Sequence, residues 1–236
     1  MMPVLFLAFC LAWFTVLAFV LHRALPRRAA SLSLGGLALW LLYASVLAYN
    51  GWLSRPDPPP SLPLLMAPLI VFAIWLSRSS APLALVRALP LRALVGLQVF
   101  RVGVEIFLDR LWRAGLLPEG MTWHGHNFDI LTGISAFALF LAWDRIPGVL
   151  KVAKAWNVLG LILLAQVALT GVLSAPGPQQ VLNRATPNVA VVSFPYVLVA
   201  ALFVLSALAL HILALRKIAL AGAAAPAVAG NGASAT

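Results

Sequence analysis

Charge is scarce in this 236-residue chain, and acid is scarcest: Asp and Glu number six against sixteen Lys and Arg. A soluble domain carries about 25% charged residues. Here the share is 9%, with 63% hydrophobic residues and a mean hydropathy of +1.00, a composition that excludes an ordinary water-facing surface. The single cysteine, Cys10, excludes an intrachain disulfide and a thiolate metal cluster. No Gly-rich phosphate loop, H-E-x-x-H, G-x-S-x-G or paired C-x-x-C occurs, so the commonest motif-borne chemistries are missing. An internal repeat is missing too, which counts against the inverted-repeat transporter plan.

What the chain has is long apolar runs. A membrane-spanning helix needs about 20 apolar residues. Seven segments qualify: 3–22, 33–53, 61–78, 91–113, 127–143, 155–174 and 192–215. Their connections are short and rich in Pro, Gly or Arg, as in SRPDPPPSLP and SAPGPQQVLNRATPN, and such sequences end helices. The expected fold is all-α, a polytopic bundle of seven spans over residues 1–217. The first segment lacks a basic n-region and has the length of a retained span. The stretch 81–95, broken by Pro90, reads as an interfacial segment ahead of span four. Residues 218–236 read as a low-complexity tail, disordered beyond a short helix end.

The net charge of +10 would suggest nucleic acid in a soluble protein. Here the basic residues sit between apolar runs and set orientation instead. Arg23, Arg27, Arg28, Arg78, Arg87, Arg92, Arg145, Lys151, Lys154, Arg216 and Lys217 fall on one side, whereas Arg55, Arg113 and Arg184 fall on the other. The N-terminus is expected outside and the C-terminus in the cytoplasm, with membrane lipid as a partner and no nucleic acid. Trp52, Trp112 and Trp123 mark an outer aromatic belt, Trp143 and Trp156 an inner one, while Trp13 and Trp40 lie deeper and pack.

Span four breaks the apolar rule. Within QVFRVGVEIFLDRLWR (98–113), five charges appear: Arg101, Glu105, Asp109, Arg110 and Arg113. At about 100° per residue, Gln98, Arg101, Glu105, Asp109 and Trp112 share a face about 80° wide. Arg101 and Glu105 straddle the expected midplane near Gly103, and Asp109 lies about 9 Å further out. Charge at that depth faces the bundle interior and pairs. Arg101 and Glu105 are one turn apart and are expected to pair within the helix. Tyr43, Gln166 and Ser135 are candidate partners at similar depth, and Arg113 is expected to snorkel toward headgroups. Two readings follow: a polar lock that fixes helix register, or a site for a substrate, ion or proton.

Beyond span four, Glu119, His124, His126, Asn127 and Asp129 form an outer mouth with Asp109. Asn127 and Asp129 also fit simple capping of span five. His124-Gly125-His126, with Asp129 and Asp109, admits a metal, though an H-x-H in a loop has no fixed geometry. His22 and His211 read as inner-interface or packing residues rather than haem ligands, so the cofactor is left unknown. Asn50 and Thr170 add outward polarity, against mainly Asn157 in the inner halves, so a polar cavity opening outward and closing near Arg101 is expected.

FRVGVEIFLDRLWRAGLLPEGMTWHGHNFDILTG and FPYVLVAALFVLSALALHILALRK resemble a set of uncharacterised bacterial multi-pass membrane proteins across spans four to seven. The resemblance implies a bacterial inner membrane and no activity. The plan is also similar to rhodopsins, but span seven has no lysine before Lys217, so it offers no retinal attachment point.

Three functions are expected to compete. The first is a ligand-binding protein whose pocket of Gln98, Arg101, Glu105, Asp109, Tyr43, Gln166 and Asn127 takes a small polar or amphiphilic molecule, for transport or sensing. Arg101 would counter an anionic group while Glu105 or Asp109 takes up a proton. The second is an enzyme at the outer leaflet acting on a lipid-like substrate, with catalytic candidates Glu105, Asp109, His126 and Asp129. Metal or acid–base chemistry would serve it. The third is a structural or assembly protein.

Overall fold

The computed structural model describes residues 1–55 and 62–231, with side chains described through Gly222. Among the described residues the chain is helical, without strands. Two long apolar helices open it, α1 (Met2–Ala24) and α2 (Arg27–Tyr49), turned about Pro26. Next comes α3 (Pro63–Arg78), starting on a proline, as suits a first helical position. The expected span start at Ser61 lies outside the described residues. The short α4 (Leu83–Ala88) stops before Pro90, and α5 (Leu91–Gly96) follows. A 3₁₀ turn at Leu97–Val99 joins α5 to α6 (Phe100–Arg113). The chain closes with α7 (Asp129–Ala142), α8 (Val149–Ser174) and α9 (Leu205–Asn231).

Four helices are long and apolar enough to cross a membrane: Met2–Ala24, Arg27–Tyr49, Val149–Ser174 and the stretch Val199–Gly222. The protein is a membrane protein on that composition. Leu11, Phe19, Leu39, Ile70, Leu131 and Ile162 stand exposed on helix surfaces, which water would not tolerate over so many neighbouring side chains. The helix carrying α9 runs through the centre, packed by α8, α3, α5 and α4, with Ala201, Phe203, Ala207, His211 and Ala214 among its buried residues. By contrast α1 and α2 pack mainly on one another and leave most of their surface outward.

Two expected spans are reshaped. The segment 91–113 is interrupted by the 3₁₀ turn, which begins where α5 presses on α7: a Cβ on Gly96 would come within 2.5 Å of the Phe140 ring. The segment 192–215 is not helical from its start. It runs in turns past Pro195, which has no N–H to give a helix, and then enters a π-helical stretch at Val199–Val204 before α9. Side chains use the carbonyls of this irregular stretch: Trp40 Nε1 donates to Ala201 O at 2.8 Å, and Ser206 Oγ to Leu202 O at 2.7 Å. Trp13 Nε1 in turn donates to Ser206 Oγ at 3.0 Å, tying α1 to α9.

At the opposite end, Arg216 donates to Leu76 O at 2.5 Å and Lys217 to Val86 O at 2.7 Å. Cations there satisfy carbonyls that the last turns of α3 and α4 leave unpaired. Helix α9 continues through the alanine-rich stretch to Asn231, and residues 232–236 lie outside the described residues.

Candidate functional site

The polar stripe of α6 and of the 3₁₀ turn before it faces the protein interior. Gln98, Arg101, Glu105 and Asp109 are all buried, none exposed beyond 6%. Helix α7 comes close enough to meet them because Gly133 has no side chain, and a Cβ there would lie 2.8 Å from Val102. That approach brings Asp129, the first residue of α7, opposite Arg101.

Arg101 pairs with Asp129, not with Glu105 as helix spacing predicts. Its Nε donates to Asp129 Oδ2 at 2.8 Å and its Nη2 to Asp129 Oδ1, a two-pronged guanidinium–carboxylate contact. A carboxylate on a facing helix can meet the guanidinium plane edge-on with both oxygens. One on the same helix a turn away reaches it from the side.

The third nitrogen, Nη1, lies 2.8 Å from Nε2 of His211. Arginine only donates, so Nε2 accepts and the imidazole carries its proton on Nδ1. That proton goes to Asn157 Oδ1 at 2.8 Å, and Asn157 Nδ2 donates to Ala153 O at 2.8 Å. His211 is wholly buried on α9 and lies 5.4 Å from the Trp156 ring. Of the two expectations for His211, inner-interface or packing, burial fits packing, and the residue also joins an unbroken polar chain from α8 through α9 and α6 to α7. Trp156, expected at an inner belt, donates to Ser135 Oγ at 2.8 Å.

Glu105 has different company. Both its oxygens accept from Asn127 Nδ2, at 2.8 and 2.9 Å. Asn127 Nδ2 also reaches Met121 O at 2.9 Å, while its Oδ1 accepts the backbone N–H of Asp129 at 3.0 Å. The N-cap of α7 is Phe128, not Asn127 as expected; from one position earlier Asn127 accepts the first backbone N–H of the helix and also steadies a carboxyl group on α6. Among the described residues no Lys, Arg or His side chain comes within 4.0 Å of the Glu105 oxygens.

The outer end of the stripe is separate. Asp109 accepts from Arg113 Nε at 2.9 Å, and His124 Nε2 stands 3.2 Å from its other oxygen. Arg113 thus pairs with Asp109 while its side chain stays 54% exposed, and the His124 ring lies 4.9 Å from Trp112. The remaining candidates stand apart. Tyr43 donates to Leu64 O at 3.2 Å, Gln166 to the backbone oxygen of exposed His126 at 2.6 Å, and Ser135 to Leu131 O at 2.6 Å. None reaches Arg101 or Glu105. Nor are His124, His126 and Asp129 assembled: no group of three or more His, Cys, Asp or Glu among the described residues is arranged to hold a metal ion.

A cavity of about 80 Å³, measured by where the centre of a water molecule can sit, lies against this network. One water needs about 10–15 Å³ by that measure, so the space holds about five to eight water-sized positions. Arg101, Glu105 and Asp129 contribute to one wall. The others are apolar: Met66 and Leu69 of α3, Leu164 and Val167 of α8, Val104 of α6, and Phe203 of the π-helical stretch. The cavity, expected to be polar from Asn50 and Thr170, is instead apolar with a single charged side. The reason is placement: Thr170 donates back to Gln166 O in its own helix, and Asn50 to Val46 O in its own.

Sequence reasoning missed His211 and Asn157 as members of the network. Their signal was a lone histidine and a lone asparagine, each deep in an apolar helix, with Gly160 one turn from Asn157.

The chain belongs to the family described as a domain of unknown function (DUF8737), whose model matches residues 59–219. That match takes in α3 through most of α9, including every member of the buried network. No curated protein and no solved structure matches.

Proposed function

We propose that this member of the DUF8737 family is a seven-span protein of a bacterial inner membrane, N-terminus outside, that holds a small amphiphilic molecule inside its bundle for transport or sensing. The observation that carries the reading is the cavity itself, apolar on most sides and bounded on one by three buried ionisable side chains. Ligand sites are concave, mainly apolar, and equipped with a few convergent polar groups. Ionisable side chains kept at membrane depth are costly and mark functional sites by default. The seven-span count and the orientation rest on the apolar segments and on the one-sided distribution of Lys and Arg.

A test fills the space. Ala168 lines the cavity and is half-buried, so Ala168→Trp should occupy it with limited damage to packing. Solvent extraction of the purified full chain, followed by mass spectrometry, is expected to release a small amphiphile from the wild type and much less from Ala168→Trp. A protein that carries no such molecule, and that no member of an amphiphile panel stabilises against heat, would end this reading.

A second reading has one specific observation behind it. Each of the three Arg101 nitrogens already donates to a protein acceptor, as expected of a lock that fixes the register of α6, α7 and α9. The lock accounts for Arg101, Asp129 and His211. It leaves Glu105 and the cavity unexplained.

A further inference from the structure

We infer that the molecule in this cavity presents a cationic end, an aliphatic ammonium group, to Glu105. The inference rests on the ligand-binding reading above and narrows its chemistry.

Charge accounting along the cavity wall leads there. Arg101 is matched by the two oxygens of Asp129, and its remaining nitrogen is taken up by neutral His211. The guanidinium has no unmatched charge to offer an anion, so the anion-countering role expected of Arg101 is withdrawn. Glu105 is the odd group out: 1% exposed, lining the cavity, and held only by the amide of Asn127. An amide steadies a carboxyl group without supplying an opposite charge. A buried charge that lacks a partner is expensive, and an ion in direct contact offsets that cost. Asp109 cannot take the role, because Arg113 and His124 already occupy both its oxygens.

The rest of the cavity sets the remainder of the ligand. Leu69, Leu164, Val167 and Phe203 offer only hydrocarbon, so the part beyond the ammonium is an alkyl or aryl group. A carboxylate ligand would bring a third anionic group beside Glu105 and Asp129. A neutral alcohol fits the apolar walls equally well but offers Glu105 no positive charge. Hydrocarbon burial is therefore common to all three ligand types, and the head group decides among them.

The experiment exploits that equality. Full-length protein in detergent micelles is titrated with hexylamine, hexan-1-ol and hexanoate, and with their butyl to octyl homologues, read by calorimetry and thermal stabilisation. The wild type is expected to bind the amine about tenfold or more tightly than the alcohol, the step one charge-assisted hydrogen bond supplies. Hexanoate is expected to bind weakest. Glu105→Gln should lose the amine preference while keeping the alcohol's affinity, and Glu105→Asp should keep the preference. The wild-type ranking alone decides the matter if Glu105→Gln does not fold. Alcohol binding as tightly as amine, or carboxylate binding best, with every probe lost in Ala168→Trp, overturns the cationic assignment and leaves the cavity a ligand site. Failure of all three series to bind overturns both the assignment and the ligand-binding reading beneath it.

Discussion

Gly160 and His211 occupy a contact with no room between them: a methyl group on Gly160 would stand 2.4 Å from Cε1 of the imidazole and 2.7 Å from Nε2. The absence of one side chain on α8 thus lets α9 bring a histidine under Arg101. Gly160→Ala should push the ring off its acceptor position or part the two helices. Overpacking of this kind costs about 1–3 kcal/mol. A clear fall in the thermal midpoint in detergent is expected, whereas Gly36→Ala, with nothing within 4 Å of the new carbon, should show none. Equal midpoints for the two variants would contradict the packing described.

Removing the ring should expose what it does. His211→Ala leaves Arg101 Nη1 without its acceptor and Asn157 Oδ1 without its donor. Each stranded buried group costs about 1–3 kcal/mol. His211→Gln carries both an acceptor and a donor and is expected to recover part of the loss, read as a thermal midpoint between wild type and His211→Ala. No difference between Gln and Ala would show that the hydrogen bonds contribute little.

The Arg101–Asp129 pair should behave as a unit. Removing one partner of a buried ion pair costs about 3–5 kcal/mol, because the other charge is left uncompensated. Asp129→Leu and Arg101→Met are each expected to lower the yield of folded protein sharply. The double variant should restore much of it, since two apolar side chains need no partner. Additive losses in the double variant would mean that the two residues act independently.

Gln98 and Asn127 make a contrasting pair. Both are buried amides on the network's edge. Gln98 Nε2 donates to Ala207 O at 3.1 Å, but its Oε1 has no partner among the described residues. Gln98→Met gives up one hydrogen bond and relieves one orphaned acceptor, so stability should change by less than about 1 kcal/mol. Asn127→Leu strands Glu105 and leaves the Asp129 N–H without its acceptor, and should cost several times as much. Similar thermal midpoints for both variants would remove the special position given to Asn127.

Topology has its own check. In a Cys10→Ala background, Glu119→Cys is expected to react with a membrane-impermeant maleimide added to intact cells. Ser80→Cys is expected to react only after permeabilisation. Both positions are exposed, so reactivity reports the side of the membrane. Labelling of both residues from one side would refute the seven-span proposal.

How far the site was legible depends on distance along the chain. The stripe on α6 follows from 100° per residue, and Arg101, Glu105 and Asp109 share one burial pattern because they share one helix face, with Gln98 buried in the 3₁₀ turn just before it. Which residues answer them does not follow. Asp129 lies 28 positions from Arg101 and His211 lies 110, and hydropathy carries nothing about which helices touch. Helix spacing favours Arg101 with Glu105, and tertiary approach through Gly133 prevails over it. Partner choice at equal depth pointed to Tyr43, Gln166 and Ser135, yet each bonds a backbone oxygen nearby. The apolar helices α1, α2 and α8 were plain from composition, whereas the late start of helix before α9 was hidden because turns and helix there share the same apolar vocabulary.

The π-helical stretch has a consequence for inheritance and engineering. Wider turns advance each residue through a smaller angle, so six residues at Val199–Val204 fall behind an α-helix of equal length by about one residue, near 100°. Everything downstream inherits that lag. Were the stretch straightened without loss of a residue, His211 would swing about a quarter-turn away from the guanidinium it now serves. Deleting a single residue while straightening it would cancel the rotation. The bulge therefore acts as a dial that sets the clocking of the central helix, and the sequence around it tolerates compensated change better than simple change.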